Sequence, residues 1–328
     1  MRLLVLGGTA FVGSAVVDEA LRRDWSVTTL NRGRTGTSPE GVQALVGDRL
    51  AEDGLDALGD DRWDLVVDTW SLAPVAVLRS ARALTDRVDR YAYVSSRSVY
   101  APPVTLGADE TAPVVAARPD QADGGYAVDK MGAEHAVTEA YGDRSLIARA
   151  GLILGPREDV GRLPWWLRRI ERGGDVLAPG PADLPLQYID ARDLAIWLLD
   201  NAAAGTTGAY NVVSRVGHAT MGEVLDACVA ATGSAAKLRW TDPEPILAAD
   251  VLPWNDLPIW IPTGHEFRWL HESDVSRAYA TGLAPRPIAD TVADTWAWMQ
   301  RAGDIRQRED RPGVGLDPGV ESAILASN

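Results

Sequence analysis

One cysteine, Cys228, stands in 328 residues. A lone cysteine excludes an intrachain disulfide and suits a reducing compartment. Among Val224, Leu225 and Val229 it reads as a small buried hydrophobe. Histidine is scarce as well, with four in the chain. His218, His265 and His271 lack metal-ligand spacing, so no metal is expected. Positive charge is in deficit: 32 Lys and Arg face 46 Asp and Glu, a formal net charge of −14. Nucleic acid and anionic membrane both want a basic surface, so neither is expected as a partner. No run approaches the ~18 apolar residues that would suggest a membrane span. No basic leader or cleavage pattern precedes RLLVLGG, so no signal peptide is expected and a cytoplasmic location is. The expected partner is a small-molecule substrate, and the chain is expected to be a monomer or homodimer.

The pieces that are present begin with Arg2–Leu6, an apolar run that reads as a strand. Gly7-Gly8-Thr9-Ala10-Phe11-Val12-Gly13 follows, then apolar residues at helical spacing from Ala15 to Leu21. Strand, glycine turn and helix form the context in which a glycine fingerprint means a bound dinucleotide. Gly7 allows the tight turn, Gly13 lets the helix pack close, and the helix N-terminus faces a pyrophosphate. Ala10 stands where a middle glycine is often found. Ser26–Leu30 reads as the second strand and leads into Asn31-Arg32-Gly33-Arg34. An acid is usual there for the ribose of NAD, whereas arginine accommodates a 2′-phosphate. With Asn31 uncharged and Arg32 and Arg34 at hand, the reading is NADP, with NAD second.

Further strands are expected at Val42–Val46, Asp64–Asp68, Arg90–Val94 and Ser145–Arg149, with helices at Leu50–Leu58 and Leu72–Leu84 between them. This alternation predicts an α/β fold with a doubly wound parallel sheet. Ligands of such sheets bind at the C-terminal ends of the strands, where Ser95 and Ser96 follow Val94. Tyr126 and Lys130 lie four apart at the start of a helical stretch, so they share a face. A phenol titrates near pH 10, about three units too high for neutral acid–base work. A cation about 4 Å away is worth about 4 kcal/mol at an effective dielectric of about 20, which favours the phenolate. Such a tyrosine can pass a proton at a carbonyl or alcohol, while a serine hydroxyl holds the same oxygen. Between these pieces, residues 101–125 lack periodicity and read as a long loop of the kind that is usually functional, with coverage of the site left open.

Past residue 156 the composition changes: nine of the twelve tryptophans lie at or after Trp165. Helices are expected at Leu163–Ile170, from Thr220 to about Ala231 with a capping box of Thr220 and Glu223, and at Ile288–Met299. Strands are expected at Leu186–Ile189 and Ala209–Val213. The tail after Gly303 reads as loosely held.

GGTAFVG, Gly47-Asp48, SSRSVY, YAVDK, RAGLILGP, YIDARDLA and GAYNVV together resemble the extended short-chain dehydrogenase/reductase superfamily. The resemblance is to its NAD-dependent epimerase/dehydratase type, in an atypical GGTxFxG reductase-like subgroup. It implies a Rossmann domain of residues 1–156 plus 186–215. A smaller C-terminal substrate lobe of residues 157–185 plus 216–328 completes the implied architecture. It also implies Ser96, Tyr126 and Lys130 as catalytic residues, with Lys130 binding the nicotinamide ribose and Asp48 meeting the adenine. Arg49, Thr69, Trp70 and Leu152 join Gly7, Thr9, Ala10, Phe11, Val12, Gly13, Asn31, Arg32 and Arg34 along the cofactor. Two departures stand out. Leu184 or Pro185 occupies the place where nucleotide-sugar members carry a phosphate-binding arginine, and Arg97-Ser98 replaces the Asp-Glu of dehydratases. With Arg97, Trp165, Trp254 and Trp260 as candidate substrate contacts, the expectation is an NADP-dependent ketone reductase or alcohol dehydrogenase. Its substrate would be small, apolar or aromatic, and free of nucleotide. The alternative is an epimerase or isomerase that uses bound cofactor transiently, possibly on a sugar. A cofactor-bound sensor or RNA-binding scaffold is a third reading, disfavoured by the intact Ser96, Tyr126 and Lys130 and by the acidic charge.

Overall fold

Six strands lie along the first half of the chain, three of the links between them helical, and each strand is short enough to read from its apolar run. In the computed structural model they are β1 (Arg2–Leu6), β2 (Ser26–Asn31), β3 (Val42–Val46), β4 (Trp63–Asp68), β5 (Val88–Ser96) and β6 (Ser145–Ala150). The structure describes residues 1–34, 36, 38–303, 307–308 and 313–327. The strand Gly208–Val212 joins β6, and the sheet runs Gly208–Val212, β6, β5, β4, β1, β2, β3, with every pairing parallel. Parallel strands need crossovers that cover both faces, which is why β1, β4 and β5 are almost continuously apolar and buried. The edge strand β3 is partly or fully exposed along its whole length. Helices α1 (Phe11–Arg22), α2 (Val75–Leu84) and α3 (Tyr126–Tyr141) supply three of the crossovers. The order reverses between β1 and β4, and the crevice beyond the strand ends at such a switch point is where these folds bind ligands.

The helix expected over 50–58 forms only one 3₁₀ turn at Asp56–Leu58. Gly54 permits the close return of the chain here, since a side chain on it would lie 1.8 Å from the Asp48 carbonyl oxygen. Proline opens α2 as expected, with Pro74 at its N-cap.

The chain divides into two units. The first comprises Met1–Gly151, Ala191–Val212 and Asp274–Ala284. Its returning segments are bonded in: Trp197 donates to Thr281 Oγ1 and Asn211 Nδ2 to the Asp274 carbonyl. The second comprises Leu152–Asp190, Val213–Ser273 and Pro285–Asn328. Its core is built around Trp166, Leu167, Val224, Leu225 and Trp260, and Cys228 is buried within it. The helix Met221–Thr232 carries the capping box, with Thr220 and Glu223 bonded reciprocally and Gly233 left-handed beyond it. The tail is not loose throughout. Pro318–Ser327 is a helix, and its buried Glu321 pairs with Arg169 at 2.7 Å and accepts from Leu177 N. The rest of that expectation covers residues 304–306, 309–312 and 328, which lie outside the described residues.

Candidate active site

The turn from β1 into α1 is shaped by its glycines. Gly7 has φ +103°, and a side chain on Gly13 would sit 1.8 Å from the Gly7 carbonyl oxygen. Only hydrogen at Gly13 lets α1 begin pressed against the turn. Thr69 Oγ1 lies 3.3 Å and 3.2 Å from the carbonyls of Leu6 and Gly7, joining the end of β4 to the turn. Ala10 is extended at the N-cap of α1, with no side-chain cap and no acid in the first turn. The first N–H groups of a helix need acceptors, and a pyrophosphate meets that need. The expected Gly7, Thr9, Ala10, Phe11, Val12 and Gly13 thus gather in one cradle.

At the end of β2, Asn31 Oδ1 accepts a long hydrogen bond from Thr9 Oγ1 at 3.5 Å. Arg32 stacks over the Trp70 ring at 5.9 Å, and Arg34 lies 3.7 Å from the Asp48 carboxylate. Both arginines are exposed at the end of β2 and have these partners within the protein. Arg49 corrects a second expectation. It is buried, and its fork grips Asp68 at 2.8 and 2.6 Å while Nε donates to Ser80. Tyr91 also donates to Asp68. Arg49 is part of the sheet's support, with no face left for a cofactor.

Ser96 ends β5. Its Oγ accepts from Ser98 N at 3.1 Å and so caps the single 3₁₀ turn Arg97–Val99. Lys130 sits one turn into α3, 3 % exposed, and its Nζ donates to the carbonyls of Trp70 at 2.6 Å and Val94 at 2.7 Å. Tyr126 opens α3 after Gly125, whose φ of +83° lets the loop turn into the helix. Asp129 holds that entry by accepting from Gly124 N at 2.8 Å, and burial pushes its carboxyl up. As a residue, Tyr126 remains 37 % exposed at the start of α3. It is near enough to act electrostatically on Tyr93, whose phenol is pushed well up by burial, by Asp68 and by Tyr126, in that order. Hydroxyl, phenol and ammonium are thus brought to the C-terminal ends of β4 and β5. Such a set can hold a carbinol or carbonyl oxygen and move its proton.

Arg97 does not face a substrate. It is fully enclosed, and burial pushes its guanidinium down to about 10. Sequence reasoning also missed the acid behind the serines. Glu134 lies one turn beyond Lys130, buried, and takes bonds from Ser95 and Arg149. Its only sequence signal is an acid at the i+4 position from a candidate catalytic lysine.

In the second unit, Trp165 and Trp254 are half-buried, and the Arg162 guanidinium stacks 4.6 Å from the Trp254 ring. Trp260 is core: it is wholly buried, and its Nε1 donates to the Gly180 carbonyl at 3.1 Å. Leu152 is buried in the same core. Leu184 is buried, and the carbonyl of Pro185 accepts from the buried Arg268 at 2.6 Å. Among the described residues, no group of three His, Cys, Asp or Glu is placed to hold a metal, and no helix is long and apolar enough to cross a membrane.

The model of the NAD dependent epimerase/dehydratase family matches residues 3–212. No curated protein sequence is similar enough to match. Among solved structures, the Bordetella bronchiseptica enzyme WbmH in complex with NAD+ superposes with a TM-score of 0.72 at 19% identity, over 92% of this chain and 99% of its own. The UDP-glucuronic acid 4-epimerase of Bacillus cereus, in complex with NAD, gives 0.67 at 16% identity, over 93% and 100%. The UDP-glucose 4-epimerase of Thermus thermophilus, also with NAD, gives 0.64 at 22% identity, over 92% and 100%. These overturn two expectations. All three relatives hold NAD where NADP was expected, and two are UDP-sugar epimerases where a ketone reductase on an apolar, nucleotide-free substrate was expected. Of the residues put forward as substrate contacts, Arg97 and Trp260 are enclosed, which weakens the second expectation locally as well. With its family model spanning residues 3–212 and its parallel sheet ending in this site, the chain belongs to the NAD dependent epimerase/dehydratase family, enzymes of the extended short-chain dehydrogenase/reductase type.

Proposed function

We propose that this enzyme is an NAD-dependent epimerase of a nucleotide sugar, inverting one carbinol carbon without net oxidation. The observation that carries the reading is the anchoring of Lys130 on the Trp70 and Val94 carbonyls, beside Ser96 and one turn beyond Tyr126. The UDP-sugar epimerases named above support it. The cradle fits the cofactor, because Gly13 admits no side chain and α1 starts uncapped. Gly7 to Gly13 would hold the pyrophosphate, Asn31 the adenosine ribose, and Asp48 the adenine, with Thr69 and Trp70 along the crevice and Lys130 at the nicotinamide ribose. The first unit binds the cofactor and the second recognises the substrate. Its lone buried Cys228 favours a cytoplasmic setting.

Bound NAD supplies reversible acceptance of hydride, so it begins and ends the cycle in the same oxidation state. Tyr126 takes the hydroxyl proton of the sugar and later returns it to the same oxygen. Ser96 donates a hydrogen bond to that oxygen while it carries charge. Lys130, fixed on the Trp70 and Val94 carbonyls one turn beyond Tyr126, places its positive charge on the same face of α3 as the phenol.

The test is incubation with NAD and a panel of UDP-sugars, with products resolved by ion-exchange chromatography. Interconversion of epimers without accumulation of NADH is the expected result. NADH formed in step with substrate lost, or turnover supported only by NADP, would sink the reading.

A further inference from the structure

Behind the serines lies a closed hydrogen-bonded circuit that the proposed chemistry does not use. Glu134 is 3 % exposed, on the same face of α3 as Tyr126 and Lys130 at successive four-residue steps. Its Oε1 accepts from Ser95 Oγ at 2.5 Å, and both oxygens face the Arg149 fork of β6, with Nη2 to Oε2 at 2.9 Å. Arg149 Nη1 donates onward to the Tyr100 hydroxyl at 3.3 Å and to the Glu110 carbonyl at 3.2 Å. Tyr100 donates to Asn211 Oδ1 at 2.6 Å, and Asn211 N donates back to the Glu110 carboxylate at 2.7 Å. The circuit ties α3, β5, β6, the strand Gly208–Val212 and the loop 101–125 at one point. Ser95 precedes Ser96, and side chains alternate along a strand, so fixing one fixes the direction of the other. Lys130 grips Val94, the residue before Ser95, so α3 holds β5 from two successive turns.

We propose that Glu134, acting with Arg149, is a positioning residue that sets the Ser96 hydroxyl and the Tyr126–Lys130 turn in register and pins the 101–125 loop to them at Glu110. The inference rests on the acid–base reading of Tyr126. A carboxylate is suited to this task because it accepts from two strands at once, and its charge-assisted bonds are short and directional. A packing role alone asks only for volume, which apolar side chains fill equally well.

That difference gives the experiment. A buried ion pair replaced by apolar residues of similar size is often neutral or stabilising. The double variant Glu134→Leu/Arg149→Met is therefore expected to keep the melting temperature while kcat for sugar-nucleotide epimerisation falls by about 10-fold or more, the scale on which small misplacements act, with KM and NAD affinity little changed. A double variant with wild-type kcat overturns the proposal. Should that variant fail to fold, Ser95→Ala decides: it removes one hydroxyl, and a lowered kcat at unchanged KM supports the proposal while wild-type kcat overturns it. A wild-type enzyme that turns over no sugar nucleotide sinks the functional reading separately. In that case amide exchange of Glu134→Gln tests the circuit, with faster exchange in both 95–100 and 108–115 expected, and no change in either overturning the proposal.

Discussion

Lys130 and Tyr93 meet on one oxygen: the ammonium and the phenol both donate to the Trp70 carbonyl, at 2.6 and 2.9 Å. The ammonium also sits 4.7 Å above the Tyr93 ring and bonds the Val94 carbonyl. The lysine is thus fixed to the ends of β4 and β5 at once.

Replacing Lys130 by methionine keeps most of its length and removes all three donors. The Val94 carbonyl loses a charge-assisted donor, a loss of about 1–3 kcal/mol, and the urea midpoint should fall accordingly together with turnover. Lys130→Arg should not restore turnover, because a planar fork cannot reproduce a compact ammonium between two carbonyls. Recovery of wild-type turnover by arginine would show that charge alone suffices.

Tyr126→Phe keeps the ring and the helix start, so the melting temperature should change little. Turnover should fall by roughly 10²–10⁴-fold, the usual worth of general acid–base catalysis, with NAD still bound. Titration calorimetry and a turnover assay check both halves.

Gly13→Ala places a carbon 1.8 Å from the Gly7 carbonyl oxygen. Helix α1 must then back away from the turn, with an overpacking cost of about 1–3 kcal/mol and loss of NAD affinity. Gly233→Ala is the control: it has open space around it and strains only the left-handed backbone at φ +63°. It should destabilise mildly and leave NAD affinity intact.

Glu158 predicts a pH dependence. It is wholly buried, accepts from Arg162 N at 2.6 Å and Leu163 N at 3.2 Å, and burial pushes its carboxyl up to about 7. The folded state therefore binds this proton more tightly than the unfolded chain, where the carboxyl titrates near 4.5. Its contribution to stability is present in full below pH 4.5 and is lost as pH rises through 7. Glu158→Gln keeps an acceptor and cannot ionise, so the melting temperature of the variant should gain on the wild type across that window. Parallel Tm–pH curves for the two proteins would contradict this.

The sheet is legible in the sequence because each strand is a local apolar run: Arg2–Leu6 and Val42–Val46 match the structure residue for residue. The glycine cradle and the Tyr126–Lys130 spacing are legible for the same reason, since each lies within a few residues. What the sequence hides is long-range. Arg49 looks available until Asp68, nineteen residues on, closes over its fork. Arg169 and Glu321 are 152 residues apart, so nothing near Glu321 announces that the tail is clamped. Arg32 and Arg34 suggest a phosphate site in sequence because Trp70 and Asp48 reach them only through the fold.

The interleaving of the two units bears on synthesis. The first unit needs Gly208–Val212 as the outer strand of its sheet and Asp274–Ala284 against Trp197 and Asn211. The second needs Glu321 to neutralise Arg169 in its interior. Neither can therefore close as a nascent segment. A ribosome that has delivered the whole glycine cradle and the Tyr126–Lys130 turn still holds a sheet with an open edge, and that edge waits on more than half of the remaining chain before its last supporting residues emerge.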